Sequence, residues 1–154
     1  MDVRIRPVEL TDRESIRRLA PRLLVGVDPS RPGPQVEAAV RGWLDDSVTR
    51  AGSDGHAGWV AVVDGVVVGF VSVSEEDHWC GEKDAWIGEL VVEQEFERHG
   101  VARRLVASAE RWAVERGLGR VRLSTGAGNA GARAFYDRLG YVLNEVTLTR
   151  QLPG

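Results

Sequence analysis

The stretch Gly88-Glu89-Leu90-Val91-Val92-Glu93-Gln94-Glu95-Phe96-Glu97-Arg98-His99-Gly100-Val101-Ala102-Arg103-Arg104-Leu105-Val106-Ala107-Ser108-Ala109-Glu110-Arg111-Trp112-Ala113-Val114-Glu115-Arg116-Gly117 reads as a strand, a short charged loop and a helix. The helix is amphipathic: Val101, Leu105, Ala109 and Trp112 recur at helical spacing, and Ala102, Val106 and Ala113 widen the apolar stripe. The first N–H groups of a helix have no partner inside it, so a loop that leaves them open makes an anion site. Gly100 has no Cβ to keep a ligand from the backbone. The expected occupant is a cofactor carrying phosphate.

Working outward, Asp84 to Val92 should be the strand entering that loop, and Gly117 and Gly119 suit the end of the helix. Upstream, Trp59–Val63 and Val66–Val73 are β-branched runs separated by Asp64-Gly65, a hairpin signal. The polar segment Glu75–Lys83 reads as an exposed connection. Val3–Val8 alternates apolar and basic residues like a half-buried strand. Thr11-Asp12-Arg13-Glu14 has the form of a capping box for a helix burying Ile16, Leu19, Ala20 and Leu23, with Pro21 ending or bending it. After the Pro29–Pro34 loop, a second helix should bury Val36, Val40, Trp43 and Leu44. Downstream, Arg120–Thr125 is expected as a strand and Asn129 as the cap of a helix carrying Ala132, Phe135, Tyr136 and Leu139, stopped by Gly140. Tyr141–Gln151 is expected to supply the last strand. The order predicts one α/β domain over residues 1–154, with a mixed, mostly antiparallel sheet.

Composition narrows the function classes. At 154 residues, the chain can bury a core without metal or disulfide staples. Twenty basic against 23 acidic residues leave a charge of −3, which gives no whole-chain argument for nucleic acid or membrane surfaces. One cysteine, Cys80, excludes an internal disulfide and a Cys-rich metal site. His56 and His78 lack metal-ligand spacing, so no metal is expected. Met1-Asp2-Val3-Arg4 has no signal-like apolar core, and Trp59–Val73 is too short and too interrupted to span a bilayer; a cytoplasmic location is the expectation.

Two glycine loops compete for the phosphates. Gly126-Ala127-Gly128-Asn129-Ala130-Gly131 matches G-x-G-x-x-G between an expected strand and helix, and Glu145 lies near where a ribose-binding acid would be sought. A dinucleotide fold needs further βα units, and only one more strand region follows here. Asn129 as a plain helix cap among glycines is the better account.

The loop Glu97-Arg98-His99-Gly100-Val101-Ala102, with Leu90-Val91-Val92 before it and Asn129-x-x-Ala132-x-x-Phe135-Tyr136-x-x-x-Gly140-Tyr141 after it, resembles the GCN5-related N-acetyltransferase (GNAT) family. The resemblance runs through nearly the whole chain and is most specific over 88–113 and 129–141. It implies a sheet with helices on both faces and acetyl-CoA as cosubstrate. It also implies a diphosphate held by the backbone of Arg98, His99, Gly100, Val101, Ala102 and Arg103. Where the family has Gln or Arg at the first loop position, this chain has Glu97, whose carboxylate is expected to point away from the diphosphate. Val91 and Val92 would offer backbone groups to the pantetheine arm, which Asn129 would touch. Tyr136 matches the family tyrosine beside the thioester sulfur, where a hydroxyl eases departure of a thiolate.

Glu89 is the acid inside the strand and the candidate for steering or deprotonating the attacking amine, directly or through water; many relatives carry that carboxylate one residue earlier, at Gly88 here. Trp79 either lines an acceptor pocket or packs back on the domain. The reaction implied is acetyl transfer to a primary amine by direct attack in a ternary complex. Small-molecule amines, including aminoglycoside-like ones, lead; a protein N-terminal or lysine acetyltransferase and a non-catalytic acyl-CoA sensor are the alternatives. Relatives are often dimers, so the resemblance admits a homodimer, and the sequence itself leaves the oligomeric state open.

Overall fold

The computed structural model describes residues 1–154. Its sheet has five strands in the order β1 (Val3–Pro7), β2 (His56–Val63), β3 (Val66–Asp77), β4 (Lys83–Val92) and β5 (Val121–Arg122). The first four are antiparallel neighbours, while β5 runs parallel to β4. The β2–β3 hairpin turns at Asp64-Gly65, both at positive φ (49° and 77°), as a type I′ turn requires.

Helices cover both faces. α3 (Val101–Glu115) lies on one, burying Val101, Leu105, Val106, Ala109 and Ala113 against Ala61, Val68, Val71, Val73, Ala85 and Ile87. α1 (Arg13–Arg17), the 3-10 segment Ala20–Leu24 and α2 (Gly33–Arg50) lie on the other, where Ile16, Leu19, Val40, Leu44 and Val48 meet Val60, Val67, Phe70 and Val91. This two-sided cover explains why β2 and β3 read as near-continuous apolar runs rather than alternating ones. α4 (Ala130–Arg138) adds Tyr136 to the α3-side core, with Ala132, Phe135 and Leu139 packed against it.

Five sequence expectations are corrected. The capping box does not use Thr11 and Glu14: Asp12 accepts the Glu9 N–H (2.8 Å) and is buried against Arg6, while Glu14 pairs with Arg17. Trp43 is 62% exposed, because the sheet-facing stripe of α2 runs through Val40, Leu44 and Val48 instead. The β3–β4 connection is shorter than Glu75–Lys83, since both strands extend into it and pair Asp77 with Lys83. Trp79 does not pack back on the domain and is not part of the cavity beside β4; it stands 88% exposed against His78. The fifth correction is at the end of the chain. Arg120–Thr125 keeps only Val121 and Arg122 in the ladder, so β5 offers a two-residue edge. Tyr141–Gln151, without an edge long enough to join, forms no strand.

Candidate active site

β4 and β5 pair through only two residue pairs, Ala85 with Val121 and Trp86 with Arg122. Beyond them the strands part, leaving the β5-side edge of β4 without a neighbouring strand from Ile87 to Val92. Ile87, Gly88, Glu89 and Leu90 on one side and Leu123, Ser124 and Thr125 on the other line a cavity of about 590 Å³.

A β-bulge aims the acid. Val73 pairs with Ile87 and Val71 with Leu90, so Gly88 and Glu89 together oppose Ser72. The extra residue reverses the alternation: Ala85 and Ile87 face α3, but Glu89 and Val91 face the α2 side. There the Glu89 carboxylate accepts the Ser47 hydroxyl of α2 (2.8 Å) and the Ser72 hydroxyl of β3 on the same oxygen, while the Glu89 N–H donates to Ser72 Oγ (3.0 Å). Burial raises the Glu89 carboxyl above the ordinary carboxylate range; the two serine hydroxyls pull it back and the charge of Asp46 adds to the rise. A carboxylate so raised is a stronger proton acceptor than an exposed glutamate. The bulge that directs Glu89 has no signature in the sequence beyond Gly88.

Tyr136 reaches the same cavity from α4. Its ring packs edge-on between Phe135 and Tyr141, with centroids at 5.0 and 5.3 Å. Burial alone drives its pKa well above the usual phenol value, so it holds its proton. The hydroxyl makes no hydrogen bond within the protein and is not sealed from the cavity. Tyr141, by contrast, donates to Glu110 (3.0 Å).

Asn129 also lines the cavity, but both ends of its amide are engaged. Oδ1 accepts the Ala132 N–H (3.1 Å) as a helix cap, and Nδ2 donates to the Val25 carbonyl (3.3 Å). That second bond ties two loops together. A Cβ on Gly126 would overlap the Gly26 carbonyl oxygen, so glycine at 126 is required by the chain crossing over it. The G-x-G-x-x-G match thus has a packing explanation within the fold.

The loop after β4 lies outside this cavity's lining and has a different character. Arg98 and Gly100 both adopt positive φ (63° and 77°), and the backbone N–H groups of Arg98, His99, Gly100, Val101, Ala102 and Arg103 find no partner in the protein. The Arg104 N–H, one residue later, bonds the Gly100 carbonyl and begins the helical ladder. Six consecutive open amides, curved by two left-handed residues at a helix start, suit a diphosphate. The Arg104 side chain is turned away to the Val3 carbonyl (2.6 Å). Val91 is buried under α1 and α2, and in the register set by the Glu93 N–H to Val68 carbonyl bond its own backbone faces Phe70 of β3; it is Val92 that turns outward, its carbonyl accepting Arg22 Nε (3.3 Å).

Arg22 was not singled out by sequence reasoning. From the Ala20–Leu24 segment it lines the cavity, bonds Val92 and forms an ion pair with Glu97. The Glu97 charge therefore has a local counter-ion. Only sequence-distant pairing brings the two together, so no local pattern could have shown it.

The sequence model of the Acetyltransferase (GNAT) family matches residues 22–141. An uncharacterized N-acetyltransferase of Methanocaldococcus jannaschii is 32% identical over 108 residues, 68% of this chain and 46% of that protein. The aminoglycoside N(6')-acetyltransferase type 1 of Salmonella typhimurium is 26% identical over 93 residues, covering 58% of this chain and 64% of that one. The chain thus spans about half to two thirds of the length of these relatives. In fold it is similar to the PaiA N-acetyltransferase of Thermoplasma acidophilum, solved with coenzyme A, with a TM-score of 0.80 at 18% identity over 96% of this chain and 94% of that one. The matched span includes the parted strands, the bulge with Glu89, the open amides and Tyr136, and the chain belongs to the GNAT acetyltransferase family.

Proposed function

We propose that this chain transfers an acetyl group from acetyl-CoA to the primary amine of a small molecule, by direct attack in a ternary complex. The observation that carries this reading is the parting of β4 from β5, which lets a buried carboxylate and an unpartnered tyrosine hydroxyl share one cavity. The residues fit the cosubstrate: six open amides at 98–103 match a diphosphate, and the free edge of β4 matches the amides of a pantetheine arm. Acetyl-CoA supplies an acyl group already activated as a thioester.

Each side chain then has one task. Glu89 takes the proton that the amine gives up as its nitrogen bonds the acetyl carbon. Free backbone N–H groups on the β4 edge polarise the acetyl carbonyl as charge builds on its oxygen. Tyr136 gives its proton to the sulfur as the carbon–sulfur bond breaks. No covalent enzyme intermediate is needed, which leaves exposed Cys80 without a role. The likeness to an aminoglycoside acetyltransferase supports a small-molecule acceptor. The Val25–Asn129 crossing supports it too, because two loops tied together at the cavity wall obstruct a protein chain more than a small amine.

The test is release of CoA thiol from acetyl-CoA and amine by wild type and Tyr136→Phe. The variant is expected to lose about 10²–10⁴ in rate while CoA binding stays unchanged. An unaltered rate would remove Tyr136 from the mechanism. CoA binding without turnover of any amine would favour the sensor alternative.

A further inference from the structure

The cavity that holds Glu89 also has a composition that selects its acceptor. Half of its lining residues are hydrophobic, and the charged ones are Arg22, Asp28, Arg31 and Glu89, two of each sign. Their charges are not equally free. Arg22 is paired with Glu97. Asp28 accepts the backbone N–H and the hydroxyl of Ser30 (2.9 and 2.8 Å), an Asx turn that shapes its own loop. Glu89 is buried and held by two serines. Arg31 makes no ion pair but its charge acts on the exposed Asp28 carboxylate, so the two arginines and two acids of this wall offset one another and leave no surplus of negative charge.

α2 contributes the opposite kind of surface. Val36, Val40 and Trp43 recur at helical spacing along the cavity, and the same stripe continues to Ser47, which bonds Glu89. Trp43 is a large aromatic left 62% exposed, and it stands on the cavity wall rather than on the outer face of the fold. An indole in that place, about one helical turn from the serine that bonds Glu89, offers area to a flat apolar group.

We infer that the acceptor is a primary amine on an apolar, aromatic body, with a single cationic centre and a far end that is neutral or anionic. This rests on the acetyltransferase reading above and narrows it. A polycation such as an aminoglycoside or polyamine needs a surplus of carboxylates around it, and on this wall two arginines offset two acids. The likeness to an aminoglycoside acetyltransferase then bears on the small size of the acceptor and not on its charge.

The experiment measures kcat/KM by CoA thiol release, with the full chain and acetyl-CoA, for tryptamine, 2-phenylethylamine, neamine and spermidine. CoA binding is measured separately by calorimetry. The two aromatic amines are expected to exceed the two polycations by about tenfold or more. Trp43→Ala is expected to raise KM for the aromatic amines about tenfold while CoA affinity and the KM of the polycations stay unchanged. Equal or preferred use of neamine or spermidine overturns this inference and leaves the acetyltransferase reading standing, as does a Trp43→Ala variant with wild-type KM for tryptamine. CoA binding with no turnover of any of the four amines overturns both.

Discussion

Replacing Ser47 with alanine should make acetyl transfer more sensitive to acid without touching the alkaline rate. Ser47 donates to Glu89 Oε2 at 2.8 Å, and Ser72 donates to the same oxygen. A hydrogen bond to a charged group contributes about 1.5–3 kcal/mol; because Ser72 remains, the lower end, about 1.5 kcal/mol, applies. The bond favours the ionised carboxylate, so its loss raises an already raised pKa and moves the acid limb of the profile to higher pH. On that limb the ionised fraction, and with it kcat/KM, should fall about tenfold, since about 1.4 kcal/mol is a factor of ten. At high pH the carboxylate is ionised in both proteins and the rates converge. The assay is CoA thiol release against pH for wild type and Ser47→Ala with one amine. The amine's own titration is common to both and cancels in the ratio. A ratio that stays flat across pH would refute the assignment of Glu89 as the base.

Glu89→Gln tests the same burial through stability. A carboxyl whose pKa is raised by folding binds its proton more tightly in the folded chain, so its ionisation costs stability as pH climbs past the unfolded value. The variant should therefore melt higher than wild type at neutral pH and no higher below the ordinary carboxylate range, while losing most activity; equal melting at both pH values would contradict the burial argument. Arg22→Gln should weaken CoA binding about tenfold, because an uncompensated Glu97 then faces the diphosphate through partly screening solvent. Glu97→Gln, and the double variant, should bind as wild type in calorimetry; an Arg22→Gln chain with unaltered affinity would show that the pair does not bear on CoA.

The strand–loop–helix unit at 88–117 was legible because each of its signals is local: alternation, a glycine before the helix, and a 3.6-residue apolar stripe. The hairpin at Asp64-Gly65 was legible for the same reason. Tyr136 and Asn129 were singled out by the family resemblance, and α4 and its N-cap place both on the cavity. What escaped depends on partners remote in sequence. The bulge at Gly88-Glu89 exists only relative to Ser72, the Arg22–Glu97 pair joins residues in separate elements, and Gly126 is explained only once Gly26 is seen to cross it. Trp43 was misplaced because a stripe of apolar spacing does not say which of two adjacent faces meets the sheet. Tyr141–Gln151 has strand composition, but β5 peels from β4 after two residues and gives it little edge to join.

The account turns on the open amides of residues 98–103, and a crystal structure with coenzyme A tests them most directly. The diphosphate oxygens should lie within hydrogen-bond distance of the Gly100, Val101 and Ala102 N–H groups, with the thiol directed into the parted strands beside Tyr136. A diphosphate seated beside Gly126, or a thiol pointing away from Tyr136, would contradict it.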